Sequence, residues 1–118
     1  MCVISSLTYS VLENTKKIDT EIKTVYVMSI AIGKITELKY ADIFSVEATN
    51  VTENLVTRVH NSGKELFVWT VNTEENINKM IRMSVDNIIT DNIEMCREIV
   101  IKRRSSNLVQ DFINSIQE

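Results

Sequence analysis

Lys64-Glu-Leu-Phe-Val-Trp-Thr-Val-Asn72, the segment Thr73 to Ser84, and Val85-Asp-Asn-Ile-Ile-Thr-Asp91 read as strand, helix and strand. Leu66 to Val71 is too dense in apolar, β-branched and aromatic groups to be half-exposed, and suits a sheet covered on both faces. Asn72 is placed to cap the helix, with Glu75 three residues on to close a capping box. Ile77, Met80 and Ile81 follow at helical spacing. Val85 to Thr90 gives the second strand. A crossover of this length can join parallel strands.

Outward from this unit the same alternation recurs. Cys2 to Ser6 reads as a strand, and Thr8 as the cap of a helix with Val11, Leu12 and Ile18 inward and Lys16 and Lys17 near its end. Ile22 to Met28 is a strand. Ser29 to Tyr40 fits either a short helix, weakened by Gly33, or an irregular loop. Ala41 to Val46 is a strand. Thr52 caps a helix with Leu55, Val56 and Val59 inward and Gly63 at its left-handed close. Asn92 caps a helix to about Arg104, with Met95, Cys96, Ile99 and Val100 inward. Asn107 to Gln117 sets Leu108, Val109, Phe112, Ile113 and Ile116 on one stripe of a separate tail helix. The expected organisation is a main domain over residues 1–104 and an amphipathic helix over residues 105–118.

Repeated β-α order implies a parallel sheet. Periodicity alone leaves a layered flavodoxin-like domain and a (β/α)₈ barrel equally open. The 118 residues make one small domain, about half of the ~250 of a whole barrel. A net charge of −3 offers no electrostatic reason to bind nucleic acid. No apolar run approaches the ~20 residues of a bilayer span, so the chain as written is expected to be cytoplasmic, with a membrane-anchored parent left open. Two cysteines do not make a disulfide scaffold, and Cys96 reads as a small buried apolar residue. With no proline and two glycines, loop punctuation falls to Asn, Ser, Thr and Asp.

Phe67-Val68-Trp69-Thr70-Val71-Asn72, followed by Val85-Asp86-Asn87-Ile88-Ile89-Thr90-Asp91, resembles the C-terminal signature of the glycerophosphodiester phosphodiesterase family. Ala41 to Val46, Val59-His60-Asn61-Ser62-Gly63 and Ser5-Ser6-Leu7 agree in order and spacing. The resemblance covers roughly residues 1 to 100. It implies the C-terminal part of a TIM (β/α)₈ barrel, incomplete in this chain. It also implies hydrolysis of glycerophosphodiesters to glycerol 3-phosphate and an alcohol, in lipid metabolism. The family's mechanism uses a pair of histidines as acid and base and a divalent cation, Ca²⁺ or Mg²⁺, held by carboxylates on earlier strands. Those motifs are not in this sequence, so no catalytic residue, metal ligand or bound cofactor is expected in this chain, and it is expected to be inactive alone. Two departures concern shape: the family usually has glycine at the positions of Ser84 and Asn87, and proline where this chain has Ile93.

Active sites of such barrels collect at the C-terminal ends of the strands. There the chain offers Ser5 and Ser6, Met28, Glu47, Trp69 to Asn72, and Asp91. The resemblance makes Trp69 an apolar wall beside a glycerol moiety, with a merely packed tryptophan as the alternative. Asn72, Glu47 and Ser6 are the further candidates for the pocket wall, although Asn72 also reads as a cap. Thr70 points to the opposite side of its strand from Trp69 unless the strand end twists. Asp91 reads as a structural carboxylate beside free amides. His60 ends a helix and therefore sits at the opposite end of the sheet; a helix of about eleven residues is ~16 Å long, against the ~3 Å reach of a general base.

An incomplete barrel leaves two open strand edges and uncovers its central side chains. Three or four such side chains forfeit roughly 5–12 kcal/mol, comparable to the stability of a domain. The expected partners are therefore a complementing half-barrel or a second copy, and a glycerophosphodiester substrate only once the missing half is present. A non-catalytic interaction module that keeps the scaffold is the alternative reading.

Overall fold

The computed structural model describes residues 2–31 and 33–117, with side chains through residue 107. Among these, the strands are β1 (Val3–Ser6), β2 (Lys23–Met28), β3 (Ile43–Glu47), β4 (Glu65–Trp69) and β5 (Asn87–Ile88). All four neighbouring pairs are parallel, and the spatial order β1-β2-β3-β4-β5 is the order of the sequence. A flavodoxin-like sheet would run 2-1-3-4-5. Sequential order is that of a barrel wall, so the molecule is an open arc of a (β/α)₈ barrel.

The helices are α1 (Tyr9–Ile18), α2 (Glu53–Asn61), α3 (Glu74–Arg82) and α4 (Ile93–Gln117), with short 3₁₀ turns at Ile35–Glu37 and Ala48–Asn50. Successive side chains of a strand point to opposite faces. Phe44, Val46, Leu66 and Val68 join Leu12, Leu55, Val56, Val59, Ile77, Met80 and Ile99 in one buried cluster. The ladders carry this parity to every strand, so Ile4, Tyr26, Met28 and Ile88 complete the helix-facing side. The alternate residues make the other, concave side. On it Val25, Ile43 and Ser45 of the middle strands are buried, while Phe67 and Trp69 are half-buried.

Local signals explain the helix ends. The Thr52 hydroxyl accepts from Leu55 N–H at 3.1 Å, Asn92 Oδ1 accepts from Met95 N–H at 3.2 Å, and Gly63 closes α2 at φ +77°. Three expectations are corrected. Of Val11, Leu12 and Ile18, only Leu12 is buried; Val11 and Ile18 face out. Thr8 occupies the cap position of α1 without a side-chain cap bond; its own N–H donates to Ser6 Oγ at 3.0 Å. The residues around 104–107 do not interrupt the last helix, which runs unbroken through Gln117, because no Pro or Gly forces a stop there. The stripe expected on Leu108, Val109, Phe112, Ile113 and Ile116 lies outside the residues whose side chains are described.

At the N-terminal end of the strands the sheet is stitched by polar groups. Lys16 Nζ donates to Asp42 Oδ2 at 2.6 Å and to the Ile22 carbonyl at 2.8 Å. Asp42 Oδ2 also accepts the Thr24 N–H at 2.9 Å, and the wholly buried Thr24 donates its hydroxyl proton to the Tyr40 carbonyl at 2.5 Å. Burial acts to raise the Asp42 carboxyl, but the hydrogen bonds from Lys16 and Thr24 and the Lys16 charge outweigh it and hold it below its ordinary range. Lys64 Nζ donates to the carbonyls of Leu38 and Ala41; burial lowers its pKa, with the Asp42 charge acting against that shift.

Candidate functional site at the C-terminal rim

The register builds the concave face in rows. Ser5, Val25, Ile43 and Glu65 form the lowest complete row; Val27, Ser45, Phe67 and Asn87 form the next; Glu47 and Trp69 stand side by side at the rim. The C-terminal end of β4 therefore presents an indole and that of β3 a carboxylate, on adjacent strands and on the same face. Glu47 Oε1 accepts from Thr49 Oγ1 at 3.0 Å, which ties the carboxylate to the turn after β3. The Trp69 Nε1–H is buried and finds no acceptor among the described residues.

Asn72 lies just beyond β4 and does not cap α3. Thr73 does, its hydroxyl accepting from Asn76 N–H at 3.2 Å, so the expected box from Asn72 to Glu75 shifts by one residue. Freed from that duty, Asn72 bridges two rim loops. Its Oδ1 accepts from Asp91 N–H at 2.9 Å and from Thr90 Oγ1 at 3.1 Å, and its Nδ2 donates to Asp91 Oδ2 at 3.2 Å. Asp91 thus interacts with a side-chain amide, while the backbone amides of α4 are served by Asn92.

The structure separates the remaining candidates. Ser6 pairs with Tyr26 on the helix-facing side, and its hydroxyl serves the turn into α1. Its neighbour Ser5 shares the concave face with Trp69, but stands three strands away and two rows lower on the ladder. Met28 pairs with Val46, also toward the helices. The adjacent serines are alike in sequence, and only strand register tells them apart. His60 Nε2 lies 2.7 Å from Asp86 Oδ2, and the same oxygen accepts the Leu66 N–H at 2.7 Å. This couple sits before β5 and at the start of β4, so His60 belongs to the N-terminal end of the sheet.

A hard divalent cation takes about six oxygen ligands. Among the described residues no group of three or more His, Cys, Asp or Glu side chains is arranged to hold a metal ion, and the Glu47 and Asp91 carboxylates are each engaged by a neighbouring side chain. The donor set present here does not fit such an ion. Nor, among the described residues, is any helix long and apolar enough to cross a membrane.

An arc of parallel β/α units with its candidate site on the C-terminal rim defines part of a TIM-barrel protein. The sequence pattern of the Glycerophosphoryl diester phosphodiesterase family matches residues 4–95, and the chain belongs to that family. A glycerophosphodiester phosphodiesterase of Caldanaerobacter subterraneus is 40% identical over 53 residues, which are 45% of this chain and 22% of that protein. The fold is shared with a Silicibacter pomeroyi protein assigned to the glycerophosphoryl diester phosphodiesterases, at a TM-score of 0.78 and 22% identity, over 86% of this chain and 38% of the other. An Oleispira antarctica phosphodiesterase, solved with the product sn-glycerol-3-phosphate, matches at a TM-score of 0.76 and 19% identity, over 83% of this chain and 41% of the other. The chain thus spans about a fifth of the curated relative and about two fifths of these solved structures.

Proposed function

We propose that this chain supplies one side of a glycerophosphodiester phosphodiesterase: the scaffold and the apolar wall of the substrate pocket. The acid/base pair and the carboxylates for a divalent cation would come from the first β/α units of the barrel, and the chain alone is inactive. The reading is carried by the pairing of Trp69 with Glu47 at the rim of a parallel arc. An indole is a flat apolar surface for the carbon face of a glycerol unit, and a carboxylate beside it is an acceptor for a hydroxyl. Ser5 and Asn87, deeper on the same face, add polar groups to a pocket closed from the other side. Asn72 holds the rim loops together next to Trp69, and Ser6 supports the first rim turn rather than the pocket.

The test is an assay of the purified chain on glycerophosphocholine with Ca²⁺ or Mg²⁺, alone and mixed with a polypeptide carrying the first three β/α units of the Caldanaerobacter relative. No turnover by the chain alone and turnover by the mixture is the expected result. In the mixture, Trp69→Ala should raise KM by about tenfold or more, the effect of removing roughly 1.4 kcal/mol or more of binding. Turnover by the chain alone would overturn the proposal that its catalytic groups lie elsewhere. A folded mixture with no turnover would favour a non-catalytic module.

A further inference from the structure

Resting on that reading, we infer that Trp69 and Glu47 act together as a donor–acceptor pair that recognises a free hydroxyl of the glycerol unit, the indole turning to present its N–H. The pair thereby selects a glycerol with open hydroxyls over one whose hydroxyls are blocked. The Trp69 Nε1–H is shut off from solvent and bonded to no acceptor among the described residues. Buried polar groups nearly always have partners, so a donor without one needs a physical reason. Both strands that flank β4 are present and paired with it. The contact between β4 and β5 even continues past the strand end, where Val71 N–H donates to the Ile89 carbonyl at 2.9 Å. The lone donor therefore does not arise from an open edge of the sheet.

A phenylalanine would give an apolar wall with no stranded donor. Other acceptors of the rim are committed elsewhere: Asn72 Oδ1 to Thr90 and Asp91, Glu47 Oε1 to Thr49. Because the indole N–H is bonded to nothing, turning the ring breaks no hydrogen bond, and the turn is favoured once an oxygen comes within reach. Glu47 stands beside Trp69 in the ladder, on the same face. Its bond to Thr49 is exposed, and a carboxylate has about four acceptor sites in all. A hydroxyl both accepts and donates, so it satisfies the indole N–H and the carboxylate at once. An ether or ester oxygen accepts from the indole but has no proton for Glu47. A site built to bond a hydroxyl rejects the analogue that lacks it. Buried Ser45 and half-buried Phe67 form the row beneath the pair, and polar contacts beside such a floor are stronger than in open water.

With one tryptophan in the chain, an isotope-labelled sample gives a single indole N–H resonance. The whole chain is titrated, alone and mixed with the first three β/α units of the Caldanaerobacter relative. The probes are glycerophosphocholine and the same compound with its glycerol hydroxyls methylated. In the mixture, glycerophosphocholine should move the indole N–H downfield to saturation, and the methylated compound should bind at least about tenfold more weakly. Glu47→Ala should bring the two affinities to within about threefold of each other. In the chain without ligand, exchanging the indole for its benzothiophene analogue keeps the shape and removes the N–H. That exchange should raise the urea midpoint by about 0.5 M or more. A midpoint that stays or falls, an indole N–H that glycerophosphocholine moves in neither sample, or equal affinity for the two compounds would each overturn the inference. The two proposals fail separately. An indole response without turnover by the mixture sinks the functional reading alone, and turnover weakened by Trp69→Ala with a motionless indole N–H sinks the donor–acceptor pair alone.

Discussion

At the N-terminal end of the strands, Asp42 gathers Lys16 and the Thr24 amide while Asp86 gathers His60 and the Leu66 amide; at the C-terminal rim, Trp69 has a buried N–H with no acceptor among the described residues and Glu47 accepts from a turn threonine. The starts of β2 and β4 are tied down by carboxylates from segments eighteen and twenty residues away. At the other end the polar contacts are exposed: Asn72 reaches Thr90 and Asp91, and Thr49 reaches Glu47. Barrels keep stability at the bottom and chemistry at the top, and the two ends of this arc differ in burial: part-buried charge-assisted hydrogen bonds below, exposed ones above.

The comparison breaks most visibly at Thr24. Thr24→Val keeps the shape but leaves the Tyr40 carbonyl without its buried donor, and urea titration should show a loss of about 1–3 kcal/mol. Next is Ser84, which adopts φ +63°, a left-handed conformation that costs a side-chain-bearing residue roughly 1–2 kcal/mol. Ser84→Gly should therefore raise stability by about 1 kcal/mol in the same titration. The acid response tests Asp42. Its folded pKa lies below the ordinary carboxylate value of about 3.9, so its stabilisation is complete above that value and disappears as the pH falls through the lower, folded one. Asp42→Asn should flatten the decline in thermal midpoint below about pH 4. The smallest effect belongs to the rim: Asn72→Ala removes exposed hydrogen bonds worth about 0.5–1.5 kcal/mol at most, and should loosen the Thr90–Asp91 loop in amide exchange more than it lowers the urea midpoint.

Much of this arrangement is legible in the sequence where local chemistry decides it. Thr52, Leu55, Val56, Val59 and Gly63 behave as their spacing requires, and Asn92 caps α4. Other features depend on what lies across space. Val11 and Ile18 belong to an apolar helix pattern, but which line of α1 meets the sheet is set by tertiary packing, and only Leu12 does. Asn72 and Thr73 are both good caps; the second wins because Asn72 is engaged by Asp91, nineteen residues away. Ser5 and Ser6 differ only by the parity of a strand. The charged stitching through Asp42 gives no periodic signal, since its partners arrive from α1 and β2. The rim pair of Glu47 and Trp69 was within reach as two strand ends, while their side-by-side placement required the ladder.

Trp69 is the only tryptophan in the chain, and it is half-buried on the face that barrel closure would seal. Its ultraviolet emission is therefore a native optical reporter of how wet that face is, with no dye attached. Under the proposed function, a shift to shorter wavelength on mixing with the remaining β/α units, together with loss of acrylamide quenching, is the expected sign of water leaving the rim.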